Sequence, residues 1–361
     1  MELLRIIAMM MVIMLHYLGK GGLLPGLTGP LLGNGYIAWI LETLSIVAVN
    51  VYMLISGFFL SGSGFKTGRL FQLLCQVLFY SIGIPLVCIA CGILQPEEVT
   101  LYQLLQYVLP AQMEHYWFAT AYVIMYVFSP ILGTAVKQMK KGQLKAVILI
   151  LLVFWSVSKS VLPVRLEIDR LGYDGLWFMC VYLIAAYMRL YGIALFQNRK
   201  KSLCLYLAGC GAIFLVTMGS RELYLVTGKF EDFLGAAYHY NHILNVFAAM
   251  ALFYAFYHWN IPEEGLVARL IVKTAPYTFG VYLLHEHLEL RYLWPQWLNA
   301  SGEGNPLVFV LRSLGAVLVV FVAGVVVDMV RGMLFGAVAK WFAGSRPAAW
   351  LKGLDEKIAG R

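Results

Sequence analysis

Ten stretches of this chain are apolar for long enough to cross a lipid bilayer, and that recurrence limits what it can fold into more than anything else. They run roughly over residues 3–18, 36–60, 70–94, 117–136, 144–162, 175–196, 202–218, 239–259, 276–294 and 307–342. A hydrocarbon core of ~30 Å takes about 20 apolar residues per helix. A backbone in lipid must close its own hydrogen bonds, which a helix does within one segment. Composition agrees. The chain is 61% apolar and 13% charged, with a mean hydropathy of +0.76. Soluble domains run ~45–50% apolar and ~25% charged. A globular fold of this size could not cover so much apolar surface with polar groups. A soluble enzyme, a nucleic-acid-binding domain and a disordered chain are therefore excluded. The expected fold class is all-α, a polytopic membrane protein of about ten transmembrane helices. Residues 1–343 are expected to form that domain, and 344–361 a short basic tail. The tenth run is long and is expected to leave the membrane near Asp328. No small-residue cleavage site follows the first run, so it reads as a span rather than a signal peptide.

The net charge of +8 reports orientation rather than a nucleic-acid partner, because loops on the inner side favour Lys and Arg. With ten spans and the N-terminus inside, eighteen Lys and Arg fall on the inner side, six on the outer side and three within spans. Both termini are therefore expected on the cytoplasmic face. An error of one span would scramble this alternation. Segment 95–116 is too polar to span, but Leu101, Leu104, Leu105 and Val108 recur at helical spacing, which suits a helix lying in the interface. The six cysteines all lie in apolar runs. Cys88 and Cys91 form a CxxC with no second ligand pair, and read as small hydrophobes.

Polar groups inside spans mark the working site by default. Arg5 opens the first span and His16 follows eleven residues later. Eleven steps of 100° return to within about 20° of the starting face, roughly 16 Å farther along the axis. The two side chains therefore share a face but cannot hold the same atom; they suit the two ends of one long ligand. His115, His239, His242, His285 and His287 join His16 in the outer half, with Glu42, Glu286 and Glu289. This makes a candidate acid–base cluster facing the exterior leaflet. Each has a bland reading. A membrane histidine often only hydrogen-bonds between helices. His115, Tyr116 and Trp117 fit an aromatic belt, and Arg5 fits a snorkelling anchor. No HExxH or comparable spacing appears, so no metal is expected. Lys20 sits between glycines without P-loop spacing, and there is no GxSxG elbow or dinucleotide fingerprint.

Four blocks in order carry a resemblance. Arg5 to His16 matches the Arg-x10-His signature of the acyltransferase-3 family of integral membrane O-acyltransferases. Residues 49–60 read VNVYMLISGFFL and resemble that family's second-span stretch. His115, Tyr116, Trp117 and Phe118 through Ser129 and Pro130 resemble its aromatic span. Residues 279–285, FGVYLLH ending in His285, resemble a later segment. The similarity runs over essentially the whole chain. It implies a bacterial enzyme of the cytoplasmic membrane that moves an acyl group, most often acetyl, from cytoplasmic acyl-CoA to a sugar hydroxyl on the far side. The acceptor implied is a polysaccharide or glycolipid. The family often has Arg-x-x-Arg at its third span, where this chain reads Lys66-Thr67-Gly68-Arg69. A lysine keeps the charge but lacks the planar fork that suits phosphate.

Together these readings give a mechanism. Arg5, Lys66 and Arg69 form a basic inner mouth for the phosphates of the acetyl-CoA donor. The thioester reaches along the first span to His16, the catalytic residue with Arg5. His16 acts on the acceptor hydroxyl as general base, or carries the acyl group as nucleophile; a neutral imidazole, with a reference pKa of ~6.5, suits either task. Glu42, His115, Tyr116, Trp117 and His285 are the candidate substrate-binding residues. The alternative is a proton-coupled exporter of a lipid-linked sugar. Transporters commonly show two related halves, and none is detectable here.

Overall fold

The first apolar run forms α1 (Glu2–Lys20), ended by Gly21. The second is a helix with one two-residue interruption, giving α2 (Gly35–Ser45) and α3 (Ala48–Ser63). Then follow α4 (Thr67–Ala90), α5 (Leu101–Val108), α6 (Trp117–Gln138), α7 (Lys141–Leu152) and α8 (Ser158–Val161), the last two joined by a π-helical turn. The second half comprises α9 (Gly175–Tyr191), α10 (Arg199–Thr227), α11 (Ile243–Tyr257), α12 (Leu266–Thr274), α13 (Thr278–His285), α14 (Leu293–Trp297) and α15 (Pro306–Phe342). This is a computed structural model; it describes all residues except 64, 163–169, 261–263, 343–344, 346–349, 351–352 and 354–361. Among the described residues there are helices and turns and no strand. Arg165 and nearly all of the expected tail 344–361, with the domain boundary before it, lie outside the described residues.

Seven helical stretches are long and apolar enough to cross a membrane: Glu2–Lys20, Gly35–Ser63, Thr67–Ala90, Trp117–Gln138, Lys141–Val161, Arg199–Thr227 and Pro306–Lys340. The chain is thus a multi-pass membrane protein. The three other apolar runs hold shorter helices of 17, 15 and 8 residues (α9, α11 and α13). The ninth run departs most from a simple span. Its helix stops at His285, where the string Glu286, His287, Glu289 and Arg291 begins, and the backbone turns tightly, with Leu290 N–H and Arg291 N–H both donating to His287 O at 2.9 and 2.8 Å. Non-helical backbone at membrane depth is tolerated where protein buries it. Here the Trp294 indole caps the freed His285 carbonyl at 3.0 Å.

In the tenth run Asp328 does not break the helix. α15 runs on through it, and Asp328 is 0% exposed, gripped by Arg331 one turn later. The helix α5 is capped by a reciprocal Thr100–Gln103 box. It turns Leu101, Leu104, Leu105 and Val108 outward while Tyr107 is buried, the arrangement of a helix lying on lipid.

α1 packs between two halves of the core, against α2 and α3 on one side and α13 and α15 on the other. Water-free helix packing relies on close approach and polar ties rather than on hydrophobic drive. At Gly57 a Cβ would lie 2.9 Å from the Ala185 Cβ, so glycine there lets α3 and α9 touch. Asn50, fully buried, joins three segments. It donates to Tyr240 O (2.7 Å) and Asn245 Oδ1 (3.1 Å), and accepts from the Trp177 indole (3.0 Å). These ties hold α3 against α9 and α11, and α1 borders open space along one face.

Candidate functional site

That open space is a pair of adjoining cavities along α1. The larger, about 380 Å³, is lined by Arg5, Arg69, Gln72 and Gln76 together with Ser56 and Tyr122. The smaller, about 30 Å³, is lined by His16, Trp117, Tyr240 and Tyr282. Tyr52, Phe118 and Phe279 belong to both walls. The helical period thus puts Arg5 on the larger cavity and His16 on the smaller one beside it. Tyr52 donates to the Arg5 carbonyl at 2.9 Å, tying α3 to α1 where the two cavities meet. The Arg5 guanidinium pairs with Glu2 at 2.6 Å and is partly exposed. Arg69 follows from the first turn of α4. Lys66 does not line the cavity; it precedes α4 with its side chain exposed, and its backbone N–H and C=O both bond the Tyr126 hydroxyl (3.1 and 3.0 Å).

At the other end, His16 Nδ1 lies 2.9 Å from His285 Nε2. His285 Nδ1 lies 2.6 Å from the Val281 carbonyl. A carbonyl only accepts, so His285 carries its proton on Nδ1. A neutral His285 then presents a lone pair at Nε2, and His16 must donate from Nδ1. A second proton on His285 would add an uncompensated buried cation, because Glu286 is already paired with Lys20 at 2.6 Å and has Arg291 at 3.9 Å. The consequence is that His16 Nε2 carries a lone pair. Among the described residues nothing bonds it, and His16 faces the small cavity. Glu286 Oε2 lies 3.2 Å from His16 Nδ1 without a directed hydrogen bond, so its charge bears on the ring.

The sequence had placed six histidines in one outer cluster. The structure separates them. His115 and His287 form a second pair, edge to face at 4.5 Å, and no contact joins them to His16 among the described residues. His115 Nδ1 meets Ser81 Oγ at 3.1 Å and Gln106 O at 3.2 Å, and its Nε2 accepts from Leu288 N–H at 3.4 Å. Burial lowers its pKa to about 4. Tyr116 stacks on His115 at 4.1 Å and donates to Leu283 O at 2.9 Å; Tyr116 thus holds the last turn of α13 and His115 the turn that follows it. His242 caps α11 by accepting from Leu244 N–H. Trp117, by contrast, borders the His16 cavity and forms an aromatic wall with Tyr173 (4.6 Å) and Tyr240 (5.7 Å). Glu42 lies on α2 with Oε2 sealed from solvent and without a hydrogen-bond partner, and among the described residues no hydrogen bond or ion pair joins it to His16. Among the described residues no group of three or more His, Cys, Asp or Glu is arranged to hold a metal ion.

Lys20 and Arg291 were missed as site residues, and Glu286 was noted only as one acid of the outer cluster. Lys20 lies four residues beyond His16, on the same helical face, and Glu286 directly follows His285. Those spacings were the available signals.

The described residues form a multi-pass helical bundle with two adjoining internal cavities, one bordered by Arg5 and Arg69 and the other by His16. Residues 1–325 match the acyltransferase-3 family, described as an acyltransferase domain, and the chain belongs to that family. It is accordingly a membrane acyltransferase. No curated protein and no solved structure matches the chain.

Proposed function

We infer that this protein transfers an acyl group, acetyl in the simplest case, from cytoplasmic acyl-CoA to a hydroxyl of a carbohydrate or glycolipid at the outer side of a bacterial cytoplasmic membrane. In this reading all ten apolar runs cross or enter the bilayer, with both termini inside. The family assignment favours a transferase over the exporter. The observation that carries the mechanism is the unbonded His16 Nε2 beside a small cavity that adjoins the one lined by Arg5 and Arg69.

Arg5 and Arg69 suit the donor's phosphates, since guanidinium forks bind them through paired hydrogen bonds. A cavity of about 380 Å³ takes a flexible arm and leaves the nucleotide at the basic end. His16 Nε2 takes the proton of the acceptor hydroxyl as its oxygen attacks the thioester carbon. The carbon–sulfur bond breaks, and His16 returns the proton to the departing sulfur. His285 holds the ring in the required tautomer, and Glu286 stabilises the imidazolium formed between the two proton transfers. Trp117, Tyr173 and Tyr240 offer stacking faces for a sugar ring beside His16.

The test is transfer of label from acetyl-CoA to membrane glycans by the wild type and by His16→Ala. Full activity in that variant sinks the mechanism. Label trapped on His16 itself, rather than direct transfer, would replace the general-base role by a nucleophilic one.

A further inference from the structure

A buried polar cluster outside the His16 site joins α4 to α15. Arg331 grips Asp328 with two donors, Nε at 2.5 Å and Nη2 at 2.9 Å. Tyr80 donates to the same carboxylate at 2.8 Å, and Gln76 Nε2 donates to it at 3.1 Å. Gly280 on α13 makes the room, because a Cβ there would lie 2.1 Å from the Asp328 carboxyl carbon. A carboxylate held in an arginine fork only accepts. It therefore fixes which way the Gln76 amide faces, with the NH2 toward Asp328 and the carbonyl away from it. Gln76 is also a wall residue of the larger cavity, on the same α4 face as Arg69 and Gln72. Among the described residues no donor reaches its Oε1. Seven residues of helix separate it from Arg69, about 10 Å along the axis.

The geometry points to Gln76 Oε1 as the acceptor for an amide N–H in the donor's arm, held in that orientation by the Asp328–Arg331 pair. This deepens the proposed function and rests on its donor assignment. A coenzyme A thioester carries two secondary amides between its pyrophosphate and its sulfur. Each N–H drawn from water into a largely apolar cavity needs an acceptor, or binding weakens. A donor without amides, such as an acyl phosphate, leaves Oε1 unmatched. Gln76 thus selects for a pantetheine-type arm, while Asp328 and Arg331 are positioning residues.

The test compares two probes on the full chain in lipid nanodiscs, coenzyme A and adenosine 3′,5′-bisphosphate, which lacks the arm. Gln76→Met should bind coenzyme A about tenfold more weakly and the bisphosphate as tightly as the wild type does. Unchanged coenzyme A affinity overturns the proposal. So does an equal loss for both probes, which marks general damage to the cavity. If Gln76→Met does not fold, the edit moves to the ligand. Coenzyme A analogues with each amide N–H replaced in turn by oxygen are offered to the wild type. One of them should lose about tenfold, and no loss from either overturns the assignment. Failure of the wild type to bind coenzyme A at all is a different result, and removes the donor reading itself.

Discussion

Two pairs of facing histidines are built around the turn that follows α13. In the His115–His287 pair all four ring nitrogens are engaged: Ser81, Gln106 and the Leu288 N–H meet His115, while Ser81 O and the Glu289 N–H meet His287. In the His16–His285 pair three are engaged, and the fourth, His16 Nε2, faces a cavity. The residue types and the neighbourhood are the same. One lone pair without a partner among the described residues, beside open space, distinguishes the pair proposed to be catalytic from the other.

The sharpest way to break this comparison is to delete one ring from each pair. His16→Ala should lower acyl transfer by at least about 10³-fold, within the range of general-base catalysis, and leave the unfolding midpoint in detergent nearly unchanged. His115→Ala should do the reverse. Activity should stay within a few-fold, while stability falls by about 1–3 kcal/mol because buried partners lose their bonds. A collapse of turnover with no stability loss in His115→Ala would erase the distinction.

Next in size is His285→Leu, which frees the His16 tautomer. Turnover should drop about a hundredfold with an unchanged donor KM; a rise in KM alone would mean His285 binds substrate rather than orienting His16. Arg69→Ala should raise the donor KM about tenfold or more, since charged hydrogen bonds contribute about 1.5–3 kcal/mol. Lys66→Ala should change it less than about twofold, because that side chain is exposed and away from the cavity.

The smallest effect concerns acid. His115 stays neutral in the folded protein down to about pH 4, whereas in the unfolded chain it gains a proton near ~6.5. The unfolded state binds more protons in that window, so this group's contribution lowers stability as pH falls from 6.5 to 4. His115→Gln should flatten that slope in detergent unfolding curves; an unaltered slope would show that His115 is not buried as described.

Much of this was legible in the residues. The Arg5–His16 spacing needs only the helical period, and the two side chains border neighbouring cavities. The ends of the ninth and tenth runs were less so. A hydropathy window sees 276–294 as one apolar run, but the charged string after His285 can leave the helix because folded protein satisfies its backbone. The burial of Asp328 was not legible either: only Arg331, Gln76 and Tyr80 arriving together make it tolerable.

Taken by itself, the order of residues determined what is local: helices throughout, their approximate extents, and which side chains share a face of α1. Periodicity and hydropathy act over a few turns, so neighbours along the chain suffice to read them. Tertiary structure alone decided which imidazole keeps a free nitrogen and which cation reaches the cavity. His16 meets a histidine 269 positions away, and a hydrogen bond between helices depends on ångström-scale placement that no spacing within one helix encodes.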